Sequence, residues 1–171
     1  MRLLIYGFGP YRQFSDNITE KIIKTLPRRR GLKKIVFPVR FQKTQFTGAV
    51  QKYRPDVILG LGQSSKRRRL TVEKRAANRM RKNIRGRREP IVSGGAKWLR
   101  TTLALKNGPG GRFSNDAGDY VCNYSMYVIL DYLERKRLQT PFGFIHIPHR
   151  CNPAKACRYL ARIVRVLDHS T

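Results

Sequence analysis

Acidic residues are scarce in this chain. Asp and Glu number 10 against 37 Lys and Arg across 171 residues, a formal net charge of +27. Such a balance predicts attraction to polyanions through counterion release. The basic stretch from Lys66 to Arg88 holds 12 Lys or Arg in 23 positions, with Glu73 its lone acid, and no aromatic interleaving or nucleic-acid motif accompanies it. The expected polyanion affinity is therefore salt-sensitive and non-specific. Cysteine is also sparse: three residues, an odd number, argue against a disulfide framework and for a cytoplasmic protein with reduced thiols. No apolar run approaches the length of a membrane span, and the opening Met1–Gly7 is too short for a signal peptide. There is no internal repeat and no sign of a second domain, so residues 1–171 are read as one domain with a real core. Nothing calls for a cofactor.

What is present is an alternation of β runs with helical patterns. Leu3–Tyr6, Lys34–Val39, Val57–Gly62 and Phe142–Ile147 read as strands. A helix starts at Asn17, with Asn17 as cap and Glu20 three residues on, and carries Ile18, Ile22, Ile23 and Leu26 on one face until Pro27. Phe46, Ala49, Val50 and Tyr53 share a second helical face. Tyr124–Leu133 is a helix apolar nearly all round, and Ala156, Tyr159, Leu160, Ile163 and Leu167 stripe a closing one. Trp98–Leu105 reads as a short helix or strand, and residues 83–97 as a basic surface excursion. The pattern predicts an α/β fold, a single-domain α/β/α sandwich with a mostly parallel twisted sheet.

Cys122 stands where the loop Ser114–Gly118 gives way to the apolar helix. At a helix N-terminus, free N–H groups and the positive end of the macrodipole favour thiolate. A nucleophilic thiol needs a base, and the base an orienting partner. His146 lies inside an apolar strand, and Glu73 is isolated among cations. Each has a plainer reading: core packing for Cys122 and His146, pairing with neighbouring arginines for Glu73. Spacing alone does not bring the three together. His146, His149, Cys151 and Cys157 are zinc-ligand types clustered in sequence, but their spacing fits no standard zinc pattern.

Five segments carry a resemblance. Gly7-Phe8-Gly9-Pro10-Tyr11, Arg54-Pro55-Asp56-Val57 with Gly62-Gln63, Glu73-Lys74-Arg75-Ala76-Ala77-Asn78, Ser114-Asn115-Asp116-Ala117-Gly118-Asp119-Tyr120-Val121-Cys122-Asn123 and Gly143-Phe144-Ile145-His146-Ile147-Pro148 resemble, in order, motifs of pyroglutamyl peptidase I, the pyrrolidone-carboxylate peptidases. The resemblance implies a cysteine peptidase that removes N-terminal pyroglutamate from peptides, with Cys122 as nucleophile, His146 as base and Glu73 as acid. It implies a lactam pocket walled by Phe8, Tyr11, Ile84 and Val121, with Gln63 as amide partner. Family members are longer before the cysteine motif and before the last helix. Where the family carries an active-centre arginine this chain has Asn83, with Arg81 and Arg85 as neighbouring substitutes. Arg12-Gln13 replaces a glycine pair beside the pocket, adding a cation that would either favour substrates with acidic groups or point to solvent. Homo-oligomer formation stays open. The other function kept in view is a basic nucleic-acid- or ribosome-binding protein on the same fold.

Overall fold

The computed structural model describes residues 1–11, 14–83, 85–107 and 111–169, the last four without their side chains. Arg12, Gln13 and Ile84 lie outside the described residues, as does the side chain of Leu167. The elements run β1 (Leu3–Phe8), α1 (Ile18–Thr25), β2 (Leu32–Phe37), α2 (Lys43–Tyr53), β3 (Val57–Ser64), β4 (Thr71–Glu73), β5 (Arg75–Ala77), β6 (Trp98–Arg100), β7 (Arg112–Ser114), α3 (Val121–Arg135), β8 (Phe142–Pro148) and α4 (Pro153–His169).

Six strands form one sheet in the order β2-β1-β3-β8-β4-β7. Its strands pair in parallel except β4 with β8, which is antiparallel. β1, β3 and β8 are near-continuous apolar runs because the sheet is covered on both faces. Strand alternation then divides the core in two. Tyr6, Phe8, Ile58 and Phe144 pack beneath α2 and α3 with Phe46, Met126 and Tyr127. Leu3, Ile5, Leu59, Leu61, Ile145 and Ile147 pack against Ile18, Ile22 and Ile23 of α1 and Ala156 and Leu160 of α4. This is the expected α/β/α sandwich with a mostly parallel sheet.

Asn17 caps α1, its Oδ1 accepting from Thr19 N at 3.0 Å, while its Nδ2 donates to Gly9 O at 3.0 Å. The cap thus also ties down the loop after β1. Glu20 does not close a capping box; it pairs with Lys24 at 2.7 Å. β5 and β6 form a separate antiparallel ribbon, so the segment from Trp98 opens as a strand. The largely exposed excursion beyond β5 is held by polar clamps. Asn78 Oδ1 accepts from Ile91 N and Val92 N at 2.8 and 2.9 Å. The fully buried Asn123 of α3 accepts from Ala77 N at 2.9 Å and donates to Ala77 O and Arg79 O at 2.9 and 2.8 Å. Among the described residues, no helix is long and apolar enough to cross a membrane.

Candidate active site

The sequence places glycine at 62, and the fold gives the reason. A Cβ built there would lie 2.8 Å from Cys122 Sγ and 2.8 Å from the Phe144 ring, so only glycine lets α3 bring its second residue down onto the sheet. Gly62 is the register partner of His146 on the neighbouring parallel strand. Register partners project to the same face, so His146 lies on the face that carries Cys122. β4 enters antiparallel on the other side of β8, with Thr71 opposite His146 and Glu73 opposite Phe144. Glu73 is therefore the diagonal neighbour of His146, within reach across the strand pair.

His146 Nδ1 lies 2.7 Å from Glu73 Oε1. A carboxylate accepts, so Nδ1 carries the proton and Nε2 keeps a lone pair on the opposite edge of the ring. Glu73 is fully buried, and Arg67 Nη2 reaches the same Oε1 at 2.5 Å. Arg67 also donates to Ser114 Oγ at 3.1 Å and Asp116 O at 2.7 Å, tying this charge pair to the loop before α3. Glu73 thus meets both an arginine and the imidazole. Its Oε2 is buried without a hydrogen-bond partner among the described residues.

Cys122 and His146 line one cavity of about 360 Å³, together with Phe8, Tyr11, Gln63 and Val121. All the sequence candidates within the described residues are gathered there, except Glu73, which stands behind His146; the expectation for Ile84 falls outside the described residues. Among the described residues no hydrogen bond joins Cys122 Sγ to the ring, and the two groups meet through the shared cavity wall. Gln63 is buried; its Oε1 accepts from Ile18 N at 2.8 Å, and its Nε2 donor has no partner among the described residues.

The expectation of a stabilised thiolate needs revision. Burial pushes the Cys122 thiol up to about 12, and the Glu73 charge adds to the rise, while the Cys122 backbone N–H and Arg67 oppose it. The helix N-terminus is present: α3 has no side-chain capping hydrogen bond, and the amides of its first turn have no intrahelical partners. Desolvation outweighs these favourable dipoles. Burial thus favours the neutral thiol at Cys122.

Sequence reading missed Arg67, and left Arg81 and Arg85 as equals. Arg81 is in the cavity wall, its Nε 3.1 Å from Asp119 Oδ2 and its N donating to Asp119 O at 2.6 Å. Arg85 is exposed and does not line the cavity. Tyr120 and Asn17 also stand in the wall, where the sequence did not place them. Among the described residues, no three His, Cys, Asp or Glu side chains gather as metal ligands.

A family model described as pyroglutamyl peptidase matches residues 1–158. The chain is 31% identical to a pyrrolidone-carboxylate peptidase of Halalkalibacterium halodurans, with 96% of each chain covered. It is 31% identical to that of Pyrococcus furiosus over 87% of this chain and 81% of the relative. The crystal structure of pyrrolidone carboxyl peptidase from Thermus thermophilus superposes with a TM-score of 0.79 at 28% identity, covering 92% of this chain and 96% of the other.

Proposed function

The chain belongs to the pyroglutamyl peptidase family, a family of cysteine peptidases, and from that premise we propose that Cys122, His146 and Glu73 hydrolyse the amide bond following an N-terminal pyroglutamyl residue. The observation that carries this reading is the 2.7 Å bond from His146 to buried Glu73 beside a cavity that also exposes Cys122.

The lactam ring is uncharged, so it suits a pocket with apolar walls and few fixed polar groups. Phe8, Tyr11 and Val121 supply walls here, and the spare Nε2 donor of Gln63 suits a lactam carbonyl. Because the thiol is neutral at rest, His146 Nε2 takes its proton as Sγ attacks the acyl carbon. The carbonyl oxygen gathers negative charge, which the free amides at the start of α3 and the nearby Arg81 stabilise. The imidazolium, steadied by Glu73, returns the proton to the leaving amine as the C–N bond breaks. Water, deprotonated by the same imidazole, then cleaves the thioester and regenerates the thiol. Arg67 holds Glu73 in place throughout.

Turnover of a chromogenic pyroglutamyl amide, with Cys122→Ala as control, tests the reading. Absence of turnover by folded protein, with no labelling of Cys122 by a thiol reagent, rejects it. A second reading, salt-sensitive binding of polyanions, is supported by the net charge of +27. A flat dependence of RNA or DNA affinity on salt would remove it. Three free cysteines suit a reducing compartment such as the cytoplasm.

A further inference from the structure

Beyond the rim of the first cavity lies a second, wider one of about 1070 Å³. The two share Phe14, Ser65 and Lys66 as wall residues. Phe14 stacks on His149 with ring centroids 4.6 Å apart and forms part of the divide. The second cavity is built from the same strand ends as the first. Residues following β3 supply Lys66, Arg67, Arg68 and Arg69; residues following β8 supply Arg150, and α4 adds Lys155. Among the described residues no carboxylate lines it. Arg67 is engaged with Glu73, but among the described residues none of Lys66, Arg68, Arg69, Arg150 and Lys155 has a carboxylate partner, and all five are exposed.

The chemistry of the proposed substrate gives this cavity a direction. The amine of pyroglutamate is closed into its own ring, so no chain extends on that side. Every further residue of a substrate lies beyond the scissile bond and must leave the first cavity. The strand that carries His146, which serves the leaving amine, runs directly on to Pro148, His149 and Arg150 in the second cavity's wall. A peptide passing over the shared rim meets five unneutralised cations within its next few residues.

We propose that this basic cavity is the leaving-group subsite, and that it selects pyroglutamyl peptides whose following residues are Asp or Glu. The proposal rests on the peptidase reading above. Exposed ion pairs are individually weak, so the preference builds additively, roughly two- to fivefold per carboxylate. Salt erodes it as screening shortens to about 10 Å near 0.1 M ionic strength.

The test compares kcat/KM for pyroglutamyl tetrapeptides carrying Glu, Gln or Lys at positions two to four. Glu peptides are expected to lead Gln peptides mainly through KM, with Lys peptides last. The Glu-to-Gln ratio should fall toward one in Arg68→Gln/Arg69→Gln protein and in Arg150→Gln protein. Equal turnover of Glu and Gln peptides overturns the proposal. Calorimetric binding of the same peptides to Cys122→Ala protein separates the two readings. If no pyroglutamyl substrate is turned over, the peptidase reading fails, and equal binding of Glu and Gln peptides would fail the subsite independently. An oligonucleotide that displaces the Glu peptide from this protein at about 0.15 M salt would also overturn the assignment, in favour of a nucleic-acid site.

Discussion

Two cavities open on the same pair of strand ends, and they treat charge in opposite ways. Around Cys122 the carboxylates are matched: Glu73 is held by Arg67 and His146, and Asp119 by Arg81 and Arg88. Beside it, the cavity lined by Arg68, Arg69, Arg150 and Lys155 has cations without matching carboxylates among the described residues. The first arrangement gives a buried carboxylate close partners, where an unmatched ion would be costly. The second leaves its charge in solvent, where it costs little and attracts ligands. On the proposed reading, bond-making and lactam binding fall to the first cavity and recognition of the leaving chain to the second.

That division is open to direct attack. The largest effect is expected from His146→Ala, which removes the base from a thiol that burial holds near 12. Turnover should fall about 10²- to 10⁴-fold. Alkylation of Cys122 by iodoacetamide in this variant should be slow at neutral pH and climb about tenfold per pH unit above it, following the thiolate. Fast, pH-independent labelling would contradict a neutral resting thiol. Next comes Glu73→Gln, which keeps the shape but removes the charge shared by His146 and Arg67. It should lower kcat about 100-fold with little change in KM, as steady-state kinetics would show.

Packing beneath the matched cavity offers a third point of attack. Gly62→Ala puts a methyl 2.8 Å from Cys122 Sγ and from the Phe144 ring. About 1–3 kcal/mol of stability should be lost in urea unfolding, and turnover should fall because the sulfur is displaced from His146. A smaller effect is expected from pH alone. The folded thiol binds its proton more tightly than an unfolded one near 9, so stability is intact below that value and declines as pH rises toward 12. Wild type should lose about 1 kcal/mol relative to Cys122→Ala between pH 9 and 10 in paired urea titrations. Parallel loss in both proteins would mean the sulfur is not desolvated.

The long apolar elements were legible because burial writes them into composition. Leu3–Phe8, Val57–Ser64 and Phe142–Pro148 are strands buried on both faces, and Val121–Arg135 is a nearly all-round apolar helix. Thr71–Glu73, Arg75–Ala77 and Arg112–Ser114 were not legible as strands. Each is three residues long, and tertiary pairing decides its state. The residue types at 73, 122 and 146 could be singled out, but only a family resemblance linked them, because the link is a diagonal across an antiparallel pair and a helix lowered onto a glycine. Arg67 was hidden in a run of four cations, where nothing one-dimensional separates it from Arg68 and Arg69. The thiolate expectation weighed the helix dipole but could not weigh desolvation, which depends on what packs around the sulfur.

The most direct measurement is capture of the covalent intermediate. Protein quenched in acid during turnover of a pyroglutamyl amide should gain the mass of one pyroglutamyl group, pyroglutamic acid less water, on the peptide that contains Cys122, and the gain should vanish in Cys122→Ala. An adduct on any other residue, or turnover that survives Cys122→Ala, would contradict the account.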